Sequence, residues 1–274
     1  MVAGRAHIEF GCRDGATHLA VLDQSDPLRI LFPHVSGDEP ATGALVTTSG
    51  GLVGGDELSI GLRGAAGTAS RIVGQAAEKV YRSAGADVTI EVQLDASEGA
   101  WLEWLPQETI LFEGARMRRR TRVEVGTGAR LLAGESVVFG RTAMGEAMTR
   151  GLVRDAWEIR REGRLVWADA LHLEDDIAAD LGASAGFAGA RAFASLVYVA
   201  DDAGTQLAVA RDLLDAAALD DDLRAAATCV GDVLVVRWLG RDGRGLRDAY
   251  GAFWSAFRHR IAGYPAAMPR LWHM

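Results

Sequence analysis

Cysteine is nearly absent: 274 residues contain two, Cys12 and Cys229, far apart and without CxxC spacing. That excludes a disulfide framework and a thiolate zinc site, and it fits a reducing compartment, the cytosol. Histidine is scarce too. The six residues form no HxH, HxxxH or HExxH pattern, so a tight imidazole metal store is not expected. Positive charge is in deficit: 29 Lys and Arg against 37 Asp and Glu leave a net charge of −8, which argues against nucleic acid or an anionic membrane as partner. No apolar run reaches membrane-spanning length, and residues 1–9 lack the continuous apolar stretch of a signal peptide. There is no Gly-x-Ser-x-Gly elbow, no tandem repeat of fixed length and no linker that divides the chain. What is present is a hydrophobic content of 49%, ample for a core, and 33 glycines, many of them at turns. The expectation is one large domain over residues 1–274.

Short apolar or alternating runs punctuated by glycine turns fill the first two thirds. Arg5–Gly11, His18–Asp23, Leu28–Phe32, Ala44–Thr48, Leu58–Leu62 and Thr68–Val73 read as strands, with the last two as a hairpin around Gly64–Gly67. In Ala86–Asp95, Val88, Ile90, Val92 and Leu94 alternate with Thr89, Glu91 and Gln93, the period of a half-buried strand. Trp101–Leu105, Thr109–Phe112, Met117–Val125, Ala129–Phe139, Leu152–Arg161 and Arg164–Glu174 follow. The charge run Met117–Arg122 reads as an exposed strand face. Gly182–Gly189 reads as a loop. The end changes character: Thr205–Leu219 is predicted helical, with a continuation past Asp220–Asp222, Val230–Leu239 is a strand, and Leu246, Tyr250, Phe253, Trp254, Phe257 and Ile261 form one helical stripe. The fold class is therefore mainly β, with a helix-strand-helix segment at about 205–262.

Ser49–Asp56 reads Ser-Gly-Gly-Leu-Val-Gly-Gly-Asp. It has the outline of a phosphate loop, but Asp56 and Glu57 stand where Lys and a hydroxyl residue would be, and they repel phosphate. Two readings stay open: a tight turn ending in a solvated acid, or a glycine loop that presents Asp56 to a cation or partner.

Two further acids occupy apolar parity. Glu135 alternates with Leu131, Ala133, Val137 and Phe139, and Asp169 with Leu165, Trp167, Leu171 and Leu173. In regular strands both carboxylates face hydrocarbon, which is costly unless each is paired, hydrated or on a metal. A β-bulge or a nearby arginine, Arg141 or Arg164, is the alternative. Two such acids in one chain point to a polar interior passage. Glu78-Lys79-Val80-Tyr81-Arg82-Ser83 mixes a carboxylate, cations, a phenol and a hydroxyl. Gly140–Glu146 is a glycine-bracketed loop carrying Arg141, Met144 and Glu146, and its methionine suits a partner surface. His172 with Glu174, Asp175 and Asp176 is the nearest approach to a local metal cluster, and it equally reads as a solvated strand end.

Ser49–Asp56, Gln75–Ser83, Leu-Glu-Trp-Leu-Pro-Gln-Glu at 102–108, Gly140–Glu146 and Pro269-Arg270-Leu271-Trp272 occur in this order. Together they resemble the UreD (UreH) family of urease accessory proteins, from about residue 6 to the C-terminus. The resemblance implies a two-layer β protein with a helix-like coiling of strands and two helices toward the C-terminus. It implies a non-enzymatic, cytoplasmic role: binding UreF, engaging the GTPase UreG through it, docking on apo-urease and passing nickel through an internal tunnel, with no tightly held cofactor. On that basis Asp56, Glu135 and Asp169 are expected to line the nickel path, with Glu78 and His172 as further candidates. Tyr81, Arg82, Arg141, Met144 and Glu146 are candidate partner contacts. The chain departs from the family where Ser49 replaces a frequent proline, where Glu78 replaces a small or hydroxyl residue, and where no basic residue follows Trp272. Two other readings are a β-rich hydrolase using paired carboxylates in a cleft lined by Trp101 and Trp104, and an interaction module with salt-bridged acids and no ion passage.

Overall fold

The computed structural model describes every residue except Ser36, Ala218 and Met274, and Ala143 in its backbone alone. In chain order the strands are β1 (Ala3–Arg13), β2 (Ala16–Ser25), β3 (Leu28–Leu31), β4 (Ala41–Thr47), β5 (Glu57–Gly64), β6 (Ala69–Gly74), β7 (Glu78–Val80), β8 (Val88–Ala96), β9 (Trp101–Leu105), β10 (Thr109–Leu111), β11 (Arg116–Val125) and β12 (Arg130–Phe139). They continue as β13 (Arg150–Arg161), β14 (Arg164–Asp176), β15 (Ala192–Val199), β16 (Leu223–Val230) and β17 (Val233–Gly240). The helices are α1 (Ile177–Gly182), α2 (Gln206–Ala216) and α3 (Gly243–Ala262).

From β4 onward the chain steps back and forth between two sheets. The first sheet runs β14-β13-β11-β8-β5-β1-β2, and the second runs β16-β17-β15-β12-β9-β6-β4-β3, with β10 and β7 joined beside β12. Each circuit lays a strand in parallel on the one before: β1, β5, β8, β11 and β13 in the first sheet, and β4, β6, β9 and β12 in the second. The result is solenoid-like. Antiparallel pairs β1–β2 and β13–β14 close the ends of the first sheet.

Alternation places the core. On β8, Val88, Ile90, Val92 and Leu94 turn inward while Thr89, Glu91 and Gln93 face out. β12 is buried on nearly every residue because both its faces are covered. Leu131, Ala133, Val137 and Phe139 join the core between the sheets, and Leu132 and Val138 join a second core under the helices. Each large apolar side chain buried there contributes about 1.5–3 kcal/mol. α3 starts at Asp242, whose carboxylate accepts from the Gly245 N–H at 2.8 Å, and stops at Gly263 in the left-handed region. Its Leu246, Tyr250, Phe253, Trp254 and Phe257 fill the second core.

Three expectations are corrected. β5 and β6 are not a hairpin; they belong to different sheets, because Gly64–Gly67 carries the chain across the sandwich. The segment after Asp222 is strand β16, not helix, and Gly231 turns it back against β17. The helix expected to Leu219 ends at Ala216, and its expected residue Ala218 lies outside the described residues. Strand β15 and the short α1 were not foreseen: β15 is buried on nearly every residue and shows no alternation.

Candidate functional site

The glycine stretch and the Glu78–Ser83 cluster, separate in sequence, are packed against each other. The Leu52 N–H donates to the Lys79 carbonyl at 2.7 Å, the Tyr81 N–H to the Leu52 carbonyl at 2.8 Å, and the Tyr81 hydroxyl to the Gly50 carbonyl at 2.8 Å. Gly51 sits at φ 142°, and a Cβ there would lie 2.6 Å from the Tyr81 ring and 2.8 Å from the Lys79 carbonyl. Only glycine allows this approach.

Behind the contact lies a cavity of about 190 Å³ between the sheets. At one end it is lined by exposed residues, Ser49, Gly50 and Ala76; at the other by the buried Trp104, Arg119 and Glu135. Glu78 lines it too. Its carboxylate accepts from the Thr47 hydroxyl at 2.5 Å and the Lys79 N–H at 3.1 Å. Burial raises its pKa, against the lowering effect of those two bonds and of the Lys79 charge.

At the inner end Glu135, 3% exposed, meets a pair from the opposite sheet. Arg119 on β11 and Asp155 on β13 are direct register neighbours, joined by Nε–Oδ1 at 3.1 Å and Nη2–Oδ2 at 2.6 Å. Arg119 Nη1 donates to the Thr109 hydroxyl at 3.0 Å and lies 2.7 Å from Glu135 Oε2. That last contact is an ion pair without a well-directed hydrogen bond, so Oε2 has no hydrogen-bond partner. Glu135 Oε1 accepts from the Trp104 indole at 2.9 Å. Two carboxylates thus share one guanidinium. Burial pushes the Glu135 pKa up to about 7; Arg119 and the Trp104 bond pull it down, and Asp155 adds to the rise. Burial opposes the charge on Arg119, but Asp155 and Glu135 outweigh it and raise its pKa.

The other two expected path acids do not line this cavity. Asp56 is buried, but its oxygens accept from the Val2 and Val53 backbone N–H groups, each at 2.9 Å, and so tie the loop to the N-terminal strand. Asp169 keeps the parity assigned to it, on the face of Leu173, but β14 is the edge strand and the sandwich is open there. It is partly exposed and pairs with Arg237 of β17 at 2.5 Å. The three carboxylates therefore do not form one connected lining. His172 is on the same edge strand, 3.4 Å from Glu174. No group of three or more His, Cys, Asp or Glu residues able to hold a metal occurs among the described residues.

Neither Arg141 nor Arg164 pairs the inward acids. Arg141 pairs with Glu146 across its own loop and lies 4.5 Å over the Phe112 ring, while the Glu113 N–H donates to Glu146 at 2.9 Å. Tyr81 meets Phe112 edge-on at 4.7 Å, and Arg82 is exposed. Met144 is 77% exposed. The Met117–Arg122 run is exposed only at alternate residues. Arg119 shares parity with Met117 and Val123 and turns inward, as Asp155 does with Val153 and Trp157. That parity was the signal available for both. Trp101 and Trp104 do not line one cleft, as the hydrolase reading requires: they are buried in different cores, one on each face of the second sheet.

The run 102–108 fastens the chain's end. Glu103 meets Arg258 of α3 at 3.1 Å and Arg71, its register neighbour, at 3.6 Å, while Glu39 binds the same two arginines at 2.7 and 3.0 Å. The Gln107 amide donates to the Leu271 carbonyl at 2.8 Å, and Glu108 pairs with Arg247 at 3.3 Å.

Fold and site together define a class: a solenoid-like β protein whose interior cavity ends on a charged cluster rather than on a set of tight metal ligands. Comparison with known proteins makes this specific. The family model for the UreD urease accessory protein matches residues 2–273, and the chain belongs to that family. Its relatives include the urease accessory protein UreD of Magnetococcus marinus, 49% identical over 99% of this chain and 94% of that protein. UreD of Xanthobacter autotrophicus is 40% identical over 98% and 89%. UreD 2 of Methylorubrum populi is 39% identical over 94% and 84%.

Proposed function

We propose that this chain acts in urease maturation by holding UreF and, through it, UreG on apo-urease, and that nickel passes through the cavity between its sheets on the way to the urease active site. The observation that carries the metal part is the cavity itself, which runs from exposed residues beside the glycine stretch to the buried Glu135 and is lined by a second carboxylate, Glu78. Oxygen ligands of this kind hold nickel more weakly than imidazole or thiolate sites, which suits transit rather than storage. Glu135 Oε2 is held by charge alone and can exchange Arg119 for a cation without losing a directed hydrogen bond. Asp155 keeps Arg119 in place during that exchange. Asp56 supports the path indirectly, by fixing the loop at its outer end.

A plug tests this without altering any carboxylate. Ala77 lines the outer part of the cavity. Ala77→Trp is expected to abolish most nickel-dependent activation of apo-urease while UreF, UreG and apo-urease still co-purify with the chain. Full activation with the plug in place would remove the passage. Loss of co-purification from the wild-type chain would remove the scaffold.

A further inference from the structure

A second concavity, about 600 Å³, lies on the other side of β7. Its floor is Ile110 beside Val138, in register on adjacent strands, and the next residue in that row, Lys79, stands at the rim. One wall is the Gly140–Met144 loop, with Phe112 beneath Arg141; the other is the first turn of α3, where Gly243 closes on Val138. The floor and lower walls are apolar. The rim carries Lys79, Arg141, Arg244 and Arg247. The carboxylates that line the groove are already engaged: Glu108 pairs with Arg247, and Asp242 caps α3. Arg141 is matched by Glu146; Lys79 is exposed with the charge of Glu78 nearby, and the Arg244 side chain is 92% exposed in a loose pair with Asp248 at 3.9 Å. A cationic rim around an apolar floor stands out on a chain of net charge −8. Beside it Met144 holds a flexible thioether in solvent.

We propose that this groove docks an acidic segment of a partner protein, which buries an apolar side chain against Ile110, Phe112 and Val138 and sets its carboxylates against Lys79 and Arg244. Complementary charge steers and registers such a segment, and the buried apolar anchor holds it. A two-fold pairing of this chain through the groove fits less well, because it would set the same cations against each other. Lys79 also lines the cavity beside Glu78, so an occupant of the groove sits next to the cavity wall. The docking does not depend on nickel passage, and its test reads contact rather than activation.

The experiment replaces Met144 by photoreactive benzoylphenylalanine in the full chain, co-expressed with urease and its other accessory proteins, and identifies the cross-linked peptide by mass spectrometry. The expected product joins Met144's position to an acidic segment with an aromatic or long aliphatic residue. Its yield is expected to fall about tenfold or more with Lys79→Glu plus Arg244→Glu, both at exposed positions, and to recover when the acids of that segment are changed to lysine. Circular dichroism of the charge-reversed chain checks that it is folded. A cross-link to a neutral or basic segment, to a second copy of this chain or to nothing would overturn the proposal. So would a yield indifferent to charge reversal in the folded variant.

Discussion

Two buried ionic clusters lie on opposite faces of the second sheet, and they differ in their arithmetic. Under α3, Glu39 and Glu103 meet Arg71 and Arg258, two charges of each sign. Between the sheets, Glu135 and Asp155 share Arg119 alone, which leaves one negative charge in excess when both acids are ionised. The first cluster joins elements distant in sequence, a loop at Glu39, strands β6 and β9 and helix α3, and it lies outside the cavity. The second borders the cavity; one carboxylate oxygen in each cluster, Glu103 Oε2 and Glu135 Oε2, lacks a directed hydrogen bond, so the contrast rests on charge and position. A balanced cluster has no capacity left for a further cation; an unbalanced one has. Burial of charge thus fastens a helix in one place, and in the other it leaves a carboxylate in excess beside the cavity.

The largest expected effect lies in the balanced cluster. Arg258→Met leaves Glu103 and Glu39 without their α3 partner, and removing one member of a buried pair costs about 3–5 kcal/mol. Chemical denaturation is expected to show that loss, together with release of the 264–273 segment, whose Pro265 carbonyl and Tyr264 ring contact the same guanidinium. A cost below about 1 kcal/mol, the range of surface pairs, would erase the distinction between the clusters.

Glu135→Gln is expected to cost less, because it removes the excess charge and keeps an acceptor for Trp104. Its effect depends on pH with a definite sign. The folded Glu135 titrates at about 7 against an ordinary value of 4.5. The folded state therefore binds this proton more tightly than the unfolded chain does. The stability penalty of ionised Glu135 is fully present above pH 7 and is relieved as pH falls from about 7 toward 4.5. The unfolding free energy of wild type minus that of the variant, measured by chemical denaturation, is expected to rise across that window as the medium is acidified. A difference flat with pH would show that Glu135 is already fully neutralised by Arg119.

The smallest effect belongs to the acid outside both clusters. Asp169 and Arg237 are each more than a third exposed. Asp169→Asn is expected to change stability by no more than about 1 kcal/mol and to leave urease activation unaltered. Loss of activation in a stable Asp169→Asn chain would extend the path beyond Glu135 toward the sheet edge.

Much of this was legible in the residues, and the gaps have physical reasons. Strand parity put Glu135 inside and would have put Arg119 and Asp155 inside as well, but the repeated arginines of 118–122 masked the alternation. Parity fixed the face of Asp169 without saying that β14 is an edge, since strand order is a tertiary property. The glycines of 50–55 indicated a constrained turn. That Asp56 would be held by two backbone N–H groups depended on Val2, which is remote in sequence. Alternation failed for β15 because a strand covered on both faces has none. The stripe of α3 was clear, while its ionic anchor, with members from Glu39 to Arg258, was beyond any local pattern.

The most direct test of the excess-charge account is nickel-dependent activation of apo-urease by the accessory complex carrying Glu135→Gln, assayed beside the wild-type complex with co-purification of every partner verified. The account predicts assembly as in wild type and a marked loss of active urease. Activation equal to wild type from the same assembled complex would contradict it.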